Sequence, residues 1–453
     1  MLSNTQLTQE YIDIINELDG DVEGRRIAAE YMAQSTAIVH HTHVANSCLP
    51  RLFNQKTYDA MKDCAETAHR VLVKVMQRYL DDPDYRDVFD YDARLRDIIL
   101  IPRRYESVLP FARVDTFMDE DDYTFKFCEF NGDGSAGMNE NREITLSVAR
   151  TPAFRRFVEN HTIEACEIFN TWVDEFLGIY ETFENKVMKP RFAICDYLEN
   201  GVVDEFQIFA NIFERRGYPC VVADVRSLKF DGKRLRDENG NQIDAIWRRC
   251  VTNDVLEFWD ESQDLIEAVR AGKVALIGSF AGHIIHDKQI FKALFHPKTR
   301  AFLTEEEAAW VDATVPRTAF LNSDEIDIQM VRENKDDWII KPTDNYGATD
   351  VYAGCQVTQE EWEQVVDKFA DEAAGVPFIV QSYITPYKTL TLPYETPEDL
   401  EDPKAPEFKP YNNLNGLYLF NGKFGGVFSR LGPLPTICKQ MGGITSATIW
   451  VKD

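Results

Sequence analysis

The sequence lacks the features that mark membrane-spanning, secreted and disulfide-bonded proteins. No apolar run approaches the roughly 20 residues that span a bilayer. Residues 1–10 are polar and lack the basic and apolar regions of a secretory signal. The nine cysteines include no CxxC pair, and an odd number without regular spacing favours reduced, buried thiols over disulfides or a cysteine zinc site. We therefore expect a cytoplasmic protein without a membrane partner.

Basic residues are few relative to acidic ones, 49 against 76, so the net charge is −27. A field of this sign repels nucleic acid, and no basic stripe offsets it, so we expect no nucleic-acid partner. The acidic surface would tolerate a cationic molecule such as a polyamine, although solubility alone explains the same charge. With 453 residues, 44% hydrophobic and 28% charged, the chain is predicted to be globular with two or three domains.

The first part of the chain is predicted to be helical from about residue 8 to residue 92. Stretches such as Tyr58–Tyr79 repeat apolar residues with the helical period, and β-rich runs are missing. A β pattern follows, with a candidate buried strand over 97–101 and an alternating segment over 123–130. Helix is expected again from about 159 to 181.

Near residue 188 the pattern changes to alternating strands and helices. Arg191–Cys195 is a predicted strand, Glu205–Arg216 an amphipathic helix, and Pro219–Val225 a second strand. This spacing is typical of a βαβ unit with a parallel sheet. We therefore predict a small Rossmann-like domain over about 188–284, with a further strand at 243–247.

The last third of the chain shows strand patterns separated by long polar segments. Strands are predicted at 338–340 and 378–380, and a hairpin is predicted over 417–428 because Asn421-Gly422 favours a tight turn. The acidic, proline-rich segment 394–410 is expected to form an exposed loop.

The strongest constellation is an Arg113-x-Asp115 pair followed by Glu129-x-Asn131. Side chains two residues apart on a strand share a face, so two neighbouring strands would bring these four groups together. Mg²⁺ prefers carboxylate and carbonyl oxygens, which Asp115, Glu129 and Asn131 supply. The pattern therefore indicates a magnesium site, although a structural salt-bridged strand pair before the glycine-rich turn at 132–137 fits the spacing equally well.

Three further segments carry weaker signals. Lys341 ends a strand before a polar loop and could face phosphate oxygens, or simply extend toward solvent. Residues 381–384 follow a strand and could meet a nucleobase, or belong to the core. Arg430 lies on a glycine-flanked strand and could approach a phosphoryl group, or form a structural ion pair. His283 and His286 are interpreted as loop residues.

Taken in order, these segments resemble the circularly permuted ATP-grasp family, and within it the synthetase domain of glutathionylspermidine synthases. The carboxylate block comes first, the Rossmann-like segment follows, and Lys288 and Lys341 come last. The resemblance extends from about residue 102 onward and implies an α/β ATP-grasp fold that binds ATP and Mg²⁺. Together with the sequence pattern, it predicts four parts. These are a helical N-terminal region at 1–95, which the pattern alone indicates, a metal-binding part at 96–187, a Rossmann-like pre-ATP-grasp domain at 188–284, and a lid and nucleotide-binding part at 285–453.

The resemblance also implies roles for individual residues. The metal ligands it implies are Asp115, Glu129 and Asn131. The residues it implies for catalysis, through the transferring phosphoryl group, are Arg113 and Arg430, and we further expect Ser135 to contact the substrate. The residues it implies for nucleotide binding are Lys288, Lys341, Gln381, Ser382, Tyr383 and Ile384, and we add Gly347 of the loop after Lys341.

Two segments differ from glutathionylspermidine synthases. The loop at 346–350 lacks a Gly-Arg-Glu-Gly lid, and 132–137 lacks an Asp-Thr-Pro run. We therefore interpret the chain as an ATP-dependent carboxylate–amine ligase whose small-molecule substrates, peptide or polyamine among them, are not specified. The alternatives are a catalytically silent nucleotide- or partner-binding protein and a Rossmann oxidoreductase. The oxidoreductase is disfavoured because Asp196–Glu199 lacks the glycine fingerprint.

Overall fold

The computed structural model describes residues 1–39, 41–199, 201–345, 349–370 and 377–452. Its helices are α1 Asn4–Glu17, α2 Val22–Met32, α3 Gln55–Asp81, α4 Ala93–Ile99, α5 Met138–Val148, α6 Pro152–Phe157, α7 Phe169–Glu181, α8 Val203–Arg215, α9 Thr252–Glu257, α10 Gln263–Arg270, α11 His283–His286, α12 Gln289–Ala293, α13 Pro297–Arg300, α14 Glu305–Thr314, α15 Ile328–Glu333 and α16 Gln359–Phe369. Within these ranges, no helix is both long and apolar enough to cross a bilayer.

The strands are mostly short, and they belong to six separate sheets. They are β1 Ile38–Val39, β2 Thr42–His43, β3 Arg51–Asn54, β4 Phe111–Met118, β5 Phe125–Asn131, β6 Ile163–Ala165, β7 Phe192–Asp196, β8 Cys220–Asp224, β9 Lys229–Phe230, β10 Leu235–Arg236, β11 Gln242–Ile243, β12 Ala245–Arg248, β13 Ala275–Ile277, β14 Thr318–Phe320, β15 Trp338–Pro342, β16 Tyr352–Ala353, β17 Phe378–Ser382, β18 Lys388–Thr391, β19 Lys409–Phe420, β20 Lys423–Gly432, β21 Ile444–Ser446 and β22 Thr448–Val451.

The largest sheet is antiparallel and joins strands that are far apart in sequence. Its order is β21-β20-β19-β4-β5, with β18 paired to β19. On β4, Ala112 and Val114 belong to the apolar core that α3 covers. Because side chains alternate along a strand, Arg113 and Asp115 lie on the opposite face. The sheet therefore has one apolar face and one face that carries charge.

The hairpin between β19 and β20 brings Arg430 to this charged face. Asn421 and Gly422 form its turn with φ angles of 50° and 84°. Two consecutive residues with positive φ are typical of the type I′ turn that matches the twist of the strands. The hairpin predicted over 417–428 is therefore confirmed.

A parallel four-stranded sheet, of order β13-β12-β7-β8, occupies the segment where a Rossmann-like domain was expected. All five residues of β7 are buried, as expected for a parallel strand covered on both faces. The strands and the helix predicted between residues 191 and 247 are confirmed as β7, α8, β8 and β12.

A third sheet, of order β14-β17-β15-β16, carries the predicted lysine strand. Strands β15 and β17 are antiparallel, and Ile339 lies opposite Gln381. Trp362 of α16 is fully buried in the core of this unit. The strands predicted at 338–340 and 378–380 are confirmed.

The strand predicted at 97–101 is wrong, because this segment belongs to α4. The carboxylate of Asp92 accepts a hydrogen bond from the amide of Leu95 and caps the helix. Leu95, Ile98 and Ile99 are buried at helical spacing. A short apolar run is compatible with a strand or a helix, and here the capping by Asp92 favours the helix.

Two other expectations fail because of pairing between remote segments. The helix predicted from 159 begins only at Phe169, since Ile163–Ala165 pairs with β22 as β6. The region 8–92 was expected to lack strands, yet Arg51–Asn54 pairs in parallel with β22 as β3. Both strands pair with a partner strand that is remote in sequence, so no local hairpin pattern predicts them.

Trp172 of α7 packs between the large sheet and the parallel sheet. Its side chain is fully buried, and its ring centre lies 5.0 Å from that of Phe111, 5.3 Å from Trp247 and 5.6 Å from Phe420. Aromatic packing of this extent holds the two sheets in one relative position.

We predict that Trp172→Ala lowers the free energy of unfolding by about 3–5 kcal/mol, because it opens a large cavity. Chemical denaturation monitored by circular dichroism measures the change. Met188→Ala is the control, because Met188 is almost fully exposed and the change should stay within about 0.5 kcal/mol. Similar losses for the two variants would contradict the role given to Trp172.

Candidate active site

A cleft lies between the charged face of the large sheet and the sheet that carries β15 and β17. The predicted site residues that line the cleft are Asp115, Glu129, Lys288, Lys341, Gln381, Ser382, Tyr383, Ile384 and Arg430. Residues from six separate segments of the sequence thus meet in one place.

Asp115 is the most enclosed charge of the cleft, with no solvent exposure. Arg113 Nε donates to Asp115 Oδ1 at 2.7 Å, and Arg430 Nη2 donates to Asp115 Oδ2 at 2.7 Å. Arg113 Nη1 also donates to the carbonyl oxygen of Ala136 at 2.8 Å. The carboxylate therefore fixes both guanidinium groups at the edge of the cleft.

Glu129 lies directly opposite Asp115, because β4 and β5 pair in the register that also places Arg113 opposite Asn131. A register shift between Asp115 and Thr116 makes Cys128 the extra residue of a β-bulge. The bulge turns Phe127 into the core and leaves Glu129 and Cys128 on the cleft. The predicted pairing of Arg113, Asp115, Glu129 and Asn131 is therefore present.

The charge of Glu129 is balanced by cations around it. Lys288 Nζ lies 3.5 Å from Glu129 Oε1. Burial by itself would raise the pKa of Glu129, but Lys288, His286 and the arginines outweigh it and lower that pKa. Glu129 is thus held as a carboxylate that faces the cleft.

Lys341 is buried at the end of β15 rather than extended toward solvent. Its ammonium donates to Gln381 Oε1 at 2.9 Å and to the carbonyl oxygen of Cys128 at 3.4 Å. Burial lowers the pKa of Lys341, and the nearby charge of Lys288 lowers it further. A buried ammonium without a carboxylate within 4 Å, among the residues that the structure describes, is suited to an anionic ligand.

Three predicted residues, Arg113, Asn131 and Ser135, do not line the cleft. Asn131 is buried, and its amide nitrogen has no hydrogen-bond partner among the described residues. Ser135 is also buried, and its hydroxyl donates to the carbonyl oxygen of Asn131 at 3.3 Å. Gly347 lies outside the described residues. The roles assigned to all of the site residues remain predictions.

The donor set on β4 and β5 fits a magnesium ion. Two carboxylates face the cleft, and the side chain of Asn131 is buried beside them with an unpaired amide nitrogen. Oxygen ligands of this kind are those that Mg²⁺ prefers. Asp115, Glu129 and Asn131 could therefore hold the ion.

Sequence reasoning missed one wall of the cleft. Residues 435–438 line it, and they belong to the loop between β20 and β21. The run Gly432-Pro433-Leu434-Pro435 directly after Arg430 predicts a turn, and its position could have suggested a loop that folds over the site.

Comparison with known proteins shows to which fold the chain is similar. A family model described as "Circularly permuted ATP-grasp type 2" matches residues 229–407. Among solved structures, a glutathione synthetase-like effector from Globodera pallida superposes with a TM-score of 0.60 at 10% identity, over 99% of this chain and 98% of that one. The chain has a circularly permuted ATP-grasp fold. The resemblance to the circularly permuted ATP-grasp family and the α/β ATP-grasp fold class predicted from the sequence are thereby confirmed, and the division into four domains stays a prediction.

Other solved structures are similar over shorter stretches. D-cycloserine synthetase DcsG matches with a TM-score of 0.28 at 17% identity, over 43% of this chain and 59% of that one. An ATP-grasp RimK domain protein from Sphaerobacter thermophilus matches with a TM-score of 0.30 at 12% identity, over 57% and 90%. No curated protein sequence matches the chain.

The match to the ATP-grasp family covers only part of the cleft. Residues 229–407 include Lys288, Lys341 and the segment 381–384, but not the carboxylates of β4 and β5 or Arg430. In the structure, β4 and β5 come early in the chain and join β19 and β20 in one sheet. This pairing brings the carboxylates to the lysines although they precede them in sequence.

We predict that Asp115→Asn lowers the free energy of unfolding by about 3–5 kcal/mol, because it leaves two guanidinium groups around a neutral side chain. Urea denaturation without ligand measures the loss. Asp336→Asn is the control, since the carboxylate of Asp336 is exposed and should contribute less than about 1 kcal/mol. A change at Asp115 as small as that at Asp336 would contradict the charge balance described here.

Proposed function

We propose that the protein is an ATP-dependent carboxylate–amine ligase that forms an amide bond and releases ADP and phosphate. The observation that carries the proposal is the meeting of acidic and basic side chains in one cleft of an ATP-grasp fold. The groups concerned are Asp115, Glu129, Lys288, Lys341 and Arg430. Buried charges of this density are costly, and a protein that merely keeps the fold has no need of them.

The cleft offers distinct surroundings for the two ends of a nucleotide. Ile339, Leu414 and Ile437 give it an apolar wall, which suits a base, and the segment 381–384 runs beside that wall. Lys288 and Lys341 lie on the charged side, where ammonium groups can contact phosphate oxygens. The nucleotide would therefore lie with its base against β17 and its phosphates toward β4 and β5.

Asp115, Glu129 and Asn131 are the residues that would hold Mg²⁺. When bound, the ion would neutralise phosphate charge and align the transferring group. Arg113 and Arg430 are fixed by Asp115 at 2.7 Å. Their guanidinium groups need no reorganisation to offset charge that develops during transfer.

The reaction would take place in two steps. An oxygen of the substrate carboxylate attacks the γ-phosphorus of ATP, the bond to ADP breaks, and an acyl phosphate forms. The amine nitrogen then attacks the acyl carbon, phosphate leaves, and the proton of the amine passes to solvent. The net charge of −27 is compatible with a cationic amine such as a polyamine or with a peptide amine.

We predict that ATP with Mg²⁺ raises the thermal midpoint much more than ATP with a chelator. Binding to the folded state alone stabilises it by about 2.7 kcal/mol at a hundredfold excess over Kd. Lys341→Met should reduce this stabilisation, whereas Lys62→Met should not, because Lys62 is exposed on α3. Equal stabilisation with and without metal would exclude the proposed magnesium ligands.

We predict that ADP release in the presence of a panel of carboxylates and amines separates a ligase from a silent nucleotide-binding protein. Arg430→Lys should lower kcat by about 10²–10³, because lysine lacks the planar fork of arginine. Arg234→Lys is the control, since Arg234 is exposed outside the cleft.

Isotope transfer tests the intermediate in the same assay. A substrate carboxylate labelled with ¹⁸O should pass one label to the released phosphate. Label found in AMP would mean an adenylate instead and would contradict the mechanism. No nucleotide-dependent turnover with any pair, together with normal ATP binding, would favour the silent binding protein.

A further inference from the structure

Behind Lys288 lies a group of buried side chains that the proposed reaction does not use. His283, His286 and Asp287 come from α11 and the residue after it, and Asp344 comes from the loop that follows β15. His283 is 1% exposed and Asp287 3%. The two histidines were interpreted as loop residues from the sequence, and that interpretation is wrong, because both lie on a short buried helix.

The distances within this group do not fit hydrogen bonds. His283 Nε2 lies 3.6 Å from Asp344 Oδ2 and 3.8 Å from Asp287 Oδ2, and His286 Nε2 lies 3.8 Å from Asp344 Oδ1. A hydrogen bond between nitrogen and oxygen requires about 2.7–3.2 Å. Four ligands around one ion at bonds of about 2.0–2.2 Å would lie roughly 3.3–3.6 Å apart. The ligand atoms of His283, Asp287 and Asp344 all lie within 4.8 Å of one another, which is close to the spacing of ligands around a single ion.

The polar groups of this cluster also lack sufficient partners. Asp287 accepts hydrogen bonds from the amide of Gln289 at 2.8 Å and from its side chain at 3.4 Å, but it has no lysine or arginine within 4 Å among the described residues. Within the same part of the chain, the Nδ1 atoms of His283 and His286 are buried without a hydrogen-bond partner. Buried carboxylates are normally paired with a cation or bound to a metal ion.

We propose that His283, Asp287 and Asp344 together bind one divalent transition-metal ion, for which zinc is the best match. An imidazole with two carboxylates and a fourth position for water favours zinc, whereas Mg²⁺ prefers oxygen ligands alone. His283 and Asp287 are four residues apart, so both reach the same side of α11. Tyr91, whose ring centre is 5.6 Å from that of His283, has a buried hydroxyl without a partner and can donate to a ligating carboxylate.

The position of this site assigns it a structural role. The backbone amide of Lys288 donates to the carbonyl oxygen of Thr343 at 2.8 Å, and its ammonium donates to that of Asn345 at 3.0 Å. An ion held between Asp287 and Asp344 would therefore connect the segment of Lys288 to the loop that follows Lys341. It would fix the spacing of the two lysines without entering the cleft.

The test uses the full chain, freed of metal by a chelator and then titrated with Co²⁺ alone and with Zn²⁺ alone. One equivalent of Co²⁺ should produce the visible absorption bands of a four-coordinate site, and Zn²⁺ should displace it and raise the thermal midpoint. His283→Gln and Asp344→Asn should each weaken metal binding by more than about tenfold, since even outer-shell changes cost 10–100-fold.

Matched controls separate this site from the surface and from the proposed magnesium ligands. His41→Gln and Asp336→Asn change exposed residues and should leave the Co²⁺ bands intact. Glu129→Gln should leave them intact as well, so that failure of the ligase proposal would not affect the result.

Wild-type protein without these bands would overturn the proposal, and so would bands that persist at full intensity in both cluster variants. Circular dichroism establishes that each variant is folded. If His283→Gln does not fold, Asp344→Asn decides the matter, because Asp344 lies in a loop and is partly exposed.

Discussion

The rest of the cleft depends on the ion pairs that the buried carboxylate of Asp115 forms with two arginines. Asp115 lies on β4, and its two oxygens accept from Arg113 on the same strand and from Arg430 on β20. The strand between them, β19, pairs with both β4 and β20. Removing that charge would leave two neighbouring guanidinium groups without their shared carboxylate, and so the position of Arg430 depends on a residue more than 300 positions earlier in the chain.

The core residues of β4 explain why the large sheet has one apolar face and one charged face. Val114 and Ala112 must remain in the core beneath α3, and this requirement fixes which side chains of β4 turn toward the cleft. On β5 the alternation is interrupted at Cys128, so that Phe127 joins the core while Glu129 stays on the charged face. A one-residue change in either register would bury Glu129 in an apolar core or expose Phe127.

Much of this arrangement could be predicted from the sequence because the signals are local. The Asn421-Gly422 turn, the helical period of α3 and the strand–helix alternation after residue 191 each lie within a short window. The pairing of Arg113 and Asp115 with Glu129 and Asn131 followed from the period of two along a strand.

What the sequence could not reveal depends on contacts between remote segments. Strand β22 pairs with Arg51–Asn54 on one side and with Ile163–Ala165 on the other. Neither segment has a strong strand pattern of its own. The β-bulge at Cys128 has no signal in the local sequence that would predict it. His283 and Asp344 are 61 positions apart in the sequence. They meet because α11 packs against the loop that follows β15.

The charge of the cleft suggests why a metal ion would have to accompany the nucleotide. Lys288, Lys341, Arg113 and Arg430 supply four positive charges, of which Glu129 and Asp115 compensate two. Free ATP carries more negative charge than the two that remain, so it would bring an excess of negative charge into the cleft, in a protein whose net charge is −27. A divalent ion between the carboxylates and the phosphates would remove this repulsion, and it would also turn Asp115 and Glu129 from repelling groups into ligands. In the proposed ligase, the carboxylates of β4 and β5 would therefore favour the metal complex of the nucleotide over the free anion.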